Sequence, residues 1–193
     1  MHNSIVFYGG NTPGKRYGNK NNSTFRHTMN LQYRDALPDD LPEIVAIYNT
    51  TIAGRMVTAD TSPVTVESRL SWYNAHDPAH RPLWMISAGR QTVGWMSFQS
   101  FYGRPAYDAT AEVSIYLAEN ARGKGFGKDV LQYAITVAPQ YGIKTLLGFI
   151  FAHNAPSLKL FMGMGFEEWA HLPEIAILDG VERSLKILGY KIK

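Results

Sequence analysis

The run Arg122-Gly123-Lys124-Gly125-Phe126-Gly127-Lys128 constrains this chain more than any other stretch. It follows the strand-like Ala111-Glu112-Val113-Ser114-Ile115-Tyr116-Leu117 and opens the helix-like Asp129-Val130-Leu131-Gln132-Tyr133-Ala134-Ile135. Three glycines at alternate positions let a backbone pass close to a bulky ligand without Cβ clashes. The free N–H groups at the start of a helix, with Lys124, Lys128 and Arg122 beside them, form an anion site. Strand, glycine loop and helix in that order predict a docking place for a phosphate group.

Spacing narrows the kind of phosphate. A Walker loop needs Gly-x-x-x-x-Gly-Lys-Ser/Thr. Counting back from Gly127-Lys128 puts Arg122 at the first glycine position, and Asp129 replaces the Mg²⁺-binding hydroxyl. A dinucleotide fingerprint needs Gly-x-Gly-x-x-Gly, and after Gly123 and Gly125 the third glycine position holds Lys128. Both readings fail.

The pattern that fits is Arg/Gln-x-x-Gly-x-Gly/Ala, as Arg122, Gly125 and Gly127. Here the chain resembles the GNAT superfamily of N-acetyltransferases, whose pyrophosphate loop for acetyl-CoA has this form. A second block, Asn154-Ala155-Pro156-Ser157-Leu158-Lys159-Leu160-Phe161 followed by Gly165-Phe166, is similar to that superfamily's Asn-x-x-Ser-x-x-Leu-aromatic signature. The resemblance runs from about Leu31 to Ile192. Phe101 to Glu112, with Arg104-Pro105-Ala106-Tyr107 and then Thr110-x-Glu112, looks like the phosphinothricin and amino-acid N-acetyltransferase branch.

Length and composition agree with one domain. The 193 residues suffice to bury a core, with 45% apolar and 18% charged residues. There is no cysteine, hence no disulfide framework, thiolate nucleophile or cysteine-ligated metal, and a reducing cytoplasm suits such a chain. No apolar run approaches the roughly 18–20 residues of a membrane helix. The net charge of +3 comes from residues 1–28, which hold Lys15, Arg16, Lys20 and Arg26 and no acid. This Gly- and Asn-rich stretch reads as a disordered extension, and residues 29–193 as the domain. The domain's charge is nearly balanced, so neither nucleic acid nor a membrane is expected as partner.

Periodicity gives the element order. Residues 31–34 read as a strand, and Asp39-Asp40 start a helix to about Thr51 with Leu41, Ile44, Ile47 and Tyr48 on one face. A polar loop follows. Ser62-Pro63 then form an N-cap and N1 pair for a second helix through Tyr73. A hairpin spans 82–87 and 92–100, strands near 109–117 and 143–151 flank a third helix, a fourth helix covers 155–163, and strands near 167–171 and 181–189 close the chain. That is a mixed α/β order. The resemblance implies the GNAT fold, a mixed central sheet with splayed fourth and fifth strands and about four helices.

The resemblance also implies a site. Backbone N–H groups of Gly123, Lys124, Gly125, Phe126, Gly127 and Lys128, with Arg122, would take the pyrophosphate of acetyl-CoA. The edge Ile115-Tyr116-Leu117 would pair with the pantetheine arm as an extra strand would, Ile115 N–H serving the thioester carbonyl as an oxyanion donor. Asn154 and Ser157 would contact the same molecule, and Asn154 equally suits an N-cap of the fourth helix. Glu112, an acid inside an apolar strand, is the candidate base for an ammonium that must lose a proton before attack. Burial would raise its pKa toward a useful range. Arg104, Pro105, Ala106 and Tyr107 would face a small amine with an anionic group, Arg104 through paired donors, with Thr58 and Arg55 nearby.

Two positions depart from the branch. Tyr102 stands where many members carry arginine, and Phe161 where the superfamily often has a proton-donating tyrosine, so no general acid is assigned. His76 and His80 invite a metal reading, but Pro78 between them breaks any shared helical face, and no metal is expected. The reading is a cytoplasmic, homodimeric N-acetyltransferase for an amino acid or its phosphinic or sulfoximine analogue. Another acceptor (polyamine, antibiotic or protein N-terminus) and a non-catalytic acyl-CoA sensor remain as alternatives.

Overall fold

A computed structural model describes residues 31–193. The N-terminal stretch read as disordered lies outside the described residues. The elements are β1 (Leu31–Asp35), α1 (Leu41–Asn49), α2 (Val66–Asn74), β2 (Leu83–Ala88), β3 (Gln91–Ser100), β4 (Thr110–Leu117), α3 (Phe126–Val137), β5 (Thr145–Phe151), α4 (Ala155–Gly163), β6 (Glu167–Leu178) and β7 (Val181–Lys191). Their order is the one the periodicity predicts. One seven-stranded sheet runs β1-β2-β3-β4-β5-β7-β6.

Two apolar layers cover the two faces of this sheet. Strand alternation sends Val113, Ile115 and Leu117 of β4 to one side, where they pack with Val130, Leu131 and Ala134 of α3 and Phe161 of α4. Tyr116 points the other way. It joins Trp95, Met85 and Leu83 against Leu41, Ile44 and Tyr48 of α1. Trp95 lies flat on Tyr116, with ring centroids 4.3 Å apart, and its indole N–H donates to Ile44 O at 3.1 Å. The buried aromatics are thus accounted for by packing.

Two boundaries differ from expectation. Helix α2 begins at Val66, capped by Thr65, whose Oγ1 accepts from Ser68 N at 3.2 Å. Ser62-Pro63 is not the cap. The Asn49 side chain pairs with both backbone groups of Val64, donating to its carbonyl at 2.9 Å and accepting from its N–H at 3.0 Å. Those two hydrogen bonds hold the segment extended, so the helix starts only beyond it. Strand β6 runs to Leu178, well past 171. Its register shifts between Leu172 and Ala176, which accommodates Pro173 in a bulge on the sheet's outermost strand.

The decisive feature is the junction of β4 and β5. They pair in parallel only over Thr110–Glu112 and Thr145–Leu147. Beyond that, β4 continues beside β3 to Leu117 and β5 continues beside β7 to Phe151. The middle of the sheet therefore opens at Glu112, as the splayed-strand expectation requires.

Candidate active site

Glu112 sits where the opening begins, 1% exposed. Its neighbours in the sheet are Gln99 on β3 and Leu147 on β5. Adjacent strands keep paired residues on one face, so Glu112 shares a face with Leu147, Phe149 and Phe151 of β5. Ser114 and Tyr116 follow on that face of β4, both buried. Burial, then Tyr48 and Glu112 nearby, push the Tyr116 hydroxyl well above its ordinary pKa. It stays neutral.

The open edge of β4 is a backbone surface. Side chains of Ile115, Tyr116 and Leu117 are all buried in the two cores. Ala118 N donates to Val93 O at 2.9 Å across the β3 side. By alternation, Ile115 and Leu117 turn their backbone groups to the opposite side, toward the opening. Leu117 O is already engaged there, accepting from Arg122 Nε at 3.0 Å.

That bond, with a second from Arg122 to the Thr50 hydroxyl, shows where the loop's arginine goes. It braces the end of β4 against the end of α1. Arg122 keeps its positive charge beside the loop, and Lys124 and Lys128 add two more, both exposed. Gly125 caps α3 at φ 89°, after Gly123 at φ 73°. These left-handed conformations favour glycine and lead into the first turn of α3. There the N–H groups of Phe126 and Gly127 precede any helical carbonyl that could take them, while Lys128 N already donates to Gly125 O at 3.0 Å. Phe126 and Gly127 are buried, anchoring the cradle on the α3 core.

Asn154 and Ser157 begin α4 on the other wall, directly after β5. Both are completely buried. Asn154 Oδ1 accepts from Ser157 N at 3.2 Å and its Nδ2 donates to Met56 O at 2.9 Å. It caps the helix and ties down the α1–α2 connection. His153 Nε2 holds the same connection through Arg55 O at 2.7 Å.

Thr58 also lies in this connection and is 1% exposed. Its hydroxyl bonds Tyr48, which donates in turn to Asp60. Arg69 from α2, itself buried, pairs with that carboxylate and lies 4.7 Å over the Tyr48 ring. Burial first, then the bond to Asp60, raise the Tyr48 pKa. This network escaped sequence reasoning because its members are scattered along the chain with no shared period.

Arg104, Pro105, Ala106 and Tyr107 form an exposed turn between β3 and β4. Arg104, Pro105 and Tyr107, with Ser100, Phe101, Gly103 and Asp108, line a cavity of about 380 Å³, and Ala106 stays outside that lining. Phe101 meets Tyr102 at 4.5 Å and Tyr107 at 5.5 Å, and reaches Phe149 on β5 at 6.4 Å. Among the described residues nothing pairs with the Arg104 guanidinium. Arg81 fixes the turn from behind: it is buried and donates to Ser100 Oγ at 2.9 Å and to the Asp108 carbonyl. Among the described residues no group of potential metal ligands comes together, and no described helix is long and apolar enough to cross a membrane.

The family model for the acetyltransferase (GNAT) domain matches residues 30–167. The chain is a GNAT-family acetyltransferase. It is 54% identical over 154 residues to YwnH of Bacillus subtilis, which bears a provisional phosphinothricin acetyltransferase name, covering 79% of this chain and 94% of that one. It is 30% identical over 148 residues to an L-methionine sulfoximine/L-methionine sulfone acetyltransferase of Pseudomonas aeruginosa, covering 76% and 86%. A crystal structure provisionally named a phosphinothricin N-acetyltransferase superimposes with TM-score 0.81 at 52% identity, over 85% of this chain and 99% of that one. A phosphinothricin acetyltransferase from Sinorhizobium meliloti, crystallised with acetyl-CoA, has TM-score 0.77 at 23% identity over 84% and 88%. That last likeness bears on the fold.

Proposed function

We propose that this GNAT enzyme transfers the acetyl group of acetyl-CoA to the α-amine of a small amino acid or analogue, directly, in a ternary complex. The parting of β4 and β5 at Glu112, with a glycine cradle at the far end of the open edge, is the observation that carries this reading. The donor's pyrophosphate would rest on the first turn of α3 beside Lys124 and Lys128, and its amide-rich arm would run along the backbone of Ile115 to Leu117. Acetyl-CoA supplies the activated acyl group. Ile115 N–H donates to the oxygen that gains charge during attack. Glu112, buried at the apex, takes the proton from the incoming ammonium, directly or through a water. No cysteine exists to carry an acetyl group.

Asn154 and Ser157 contribute by holding α4 and the α1–α2 connection, and Thr58 by joining the Tyr48–Asp60 network behind the same wall. The acceptor would enter between Phe101, Tyr107 and Phe149, with Arg104 free to meet its anionic group. The relatives named for methionine sulfoximine and methionine sulfone support this acceptor class. The reading carries a cytoplasmic location and a homodimer, for which the exposed Ile175, Ile177 and Val181 at the β6–β7 edge offer an apolar surface.

The test is CoA-thiol release from acetyl-CoA with amino acids, methionine sulfone and sulfoximine, phosphinothricin, polyamines and peptides. Release with the amino-acid analogues is expected. Tight acetyl-CoA binding with no release for any amine would leave a sensor instead.

A further inference from the structure

Arg55 and Asp179 are 124 positions apart, yet their side chains meet as a fork on a carboxylate. Arg55 Nε donates to Asp179 Oδ2 at 2.6 Å and Nη2 to Oδ1 at 3.0 Å. This is the two-point geometry in which guanidinium recognises any carboxylate. The fork itself is fixed. Arg55 Nη1 donates to Ile52 O at 2.9 Å, and the Arg55 carbonyl accepts from His153. The side chain is 23% exposed. Its partner is held loosely by comparison: the Asp179 side chain is 60% exposed in the turn between β6 and β7. Among the described residues its carboxylate has no other donor. A carboxylate that takes the same two donors replaces these bonds one for one, so exchanging Asp179 for it costs little.

The pair joins the two elements that flank an apolar cavity. Val57 and Ala59, just after Arg55, face Ile175 and Leu185 of the β6–β7 hairpin across about 100 Å³, with Phe149 and Phe151 of β5 as the floor. That floor belongs to the face on which Glu112 lies. Arg55 precedes Val57 by two residues on the α1–α2 wall of this cavity, the side to which the carboxylate of an amino acid seated there, its amine toward Glu112, would turn. Both partners hold left-handed backbone, Arg55 at φ 52° and Asp179 at φ 49°, a conformation kept only when surroundings enforce it.

We propose that Arg55 recognises the α-carboxylate of the acceptor, and that Asp179 is its resting occupant, displaced when a carboxylate-bearing amine enters. The inference rests on the amino-acid acceptor reading above. It makes Asp179 a filter: amines without a carboxylate have nothing with which to replace it. Arg55 then takes the α-carboxylate in place of Arg104, which lines the separate cavity at the β3–β4 turn.

The experiment compares L-methionine sulfone with its decarboxylated amine, 3-(methylsulfonyl)propan-1-amine, as acceptors for the full-length chain, Arg55→Gln and Asp179→Asn. Asparagine tolerates positive φ as aspartate does, so Asp179→Asn keeps the turn while weakening the pair. The ratio of kcat/KM for the acid over the amine should fall by at least about tenfold in Arg55→Gln, the worth of a charge-assisted pair. In Asp179→Asn the ratio should rise through a lower KM for the acid. Calorimetric titration of L-methionine sulfone in the presence of CoA should show the same order of affinities without turnover. An unchanged ratio in both variants, or weaker sulfone binding in Asp179→Asn than in the unaltered chain, would overturn the proposal. If the decarboxylated amine is acetylated while no carboxylated amine binds either protein, the Arg55 assignment falls and the acetyltransferase reading stands.

Discussion

Glu112 of β4 and Leu147 of β5 form the last parallel pair before the two strands part. Everything proposed for the site follows from that position. A carboxyl group that is 1% exposed stands at the apex of an opening whose one wall is bare backbone and whose other wall leads to α4. An acid so placed meets whatever enters between the strands.

Removing the base should therefore cost turnover and spare donor binding. Glu112→Gln is expected to lower kcat by about 10²–10⁴, the usual contribution of a positioned base, while the Kd for acetyl-CoA stays within about twofold. Its residual rate should climb with pH as the free-amine fraction grows, roughly tenfold per unit below the acceptor's own pKa. Steady-state rates across pH, beside calorimetry with acetyl-CoA, check both halves. Full activity in Glu112→Gln at every pH would remove this residue from the mechanism.

The cradle should fail through conformation. Gly125 caps α3 at φ 89°, and a Cβ built there meets nothing within 4 Å, so an alanine is opposed by backbone strain and not by space. That strain is about 1–2 kcal/mol, which the loop relieves by turning its N–H groups away. Gly125→Ala is expected to raise the KM for acetyl-CoA by about tenfold, with a smaller effect on the acceptor KM.

Asn154 separates capping from tethering. Asn154→Ala removes the acceptor for Ser157 N and the donor to Met56 O together, and should destabilise the protein by about 1–3 kcal/mol. Asn154→Ser can still cap α4 but has no reach to Met56, so its urea midpoint should fall between those of the unaltered chain and Asn154→Ala. Equal loss in both variants would place the whole contribution in the tether.

Acid should weaken the α2 end of the fold. His76 donates from Nδ1 to Trp72 O at 2.9 Å, packs edge-on to the Trp72 ring at 4.6 Å, and buries Nε2 without a partner among the described residues. Burial holds its pKa below the usual 6.5. The unfolded chain thus binds a proton at higher pH than the folded one. Stability is complete above about 6.5 and declines as pH falls from there toward the folded value. His76→Phe should flatten that part of the stability–pH curve in urea titrations between pH 7 and 5; an unchanged slope would show that other groups set it.

Local rules made most of the architecture legible. The order of strands and helices followed from period, and the α1 face from Leu41, Ile44, Ile47 and Tyr48, all buried. Failures came where a distant partner overrode a local signal. Ser62-Pro63 is a good cap by composition, but Asn49 holds Val64 extended. Pro173 argues for ending a strand, yet an outer strand can bulge around it. In the site, positive φ at Gly123 and Gly125 was foreseeable from residue type. The direction of the Arg122 side chain was not, because a guanidinium's partners (here Leu117 O and Thr50) lie on other elements. The same holds for Arg69 on Asp60 and Arg55 on Asp179, pairings that no spacing encodes.

Direct transfer at the opening of β4 and β5 is tested most plainly by a single turnover with acetyl-labelled acetyl-CoA and L-methionine sulfone, quenched in time. The account predicts that label appears on the α-amine at the rate at which CoA thiol appears, and that neither appears without the amine. Label accumulating on the protein first, or thiol released at the same rate with no amine present, would contradict it.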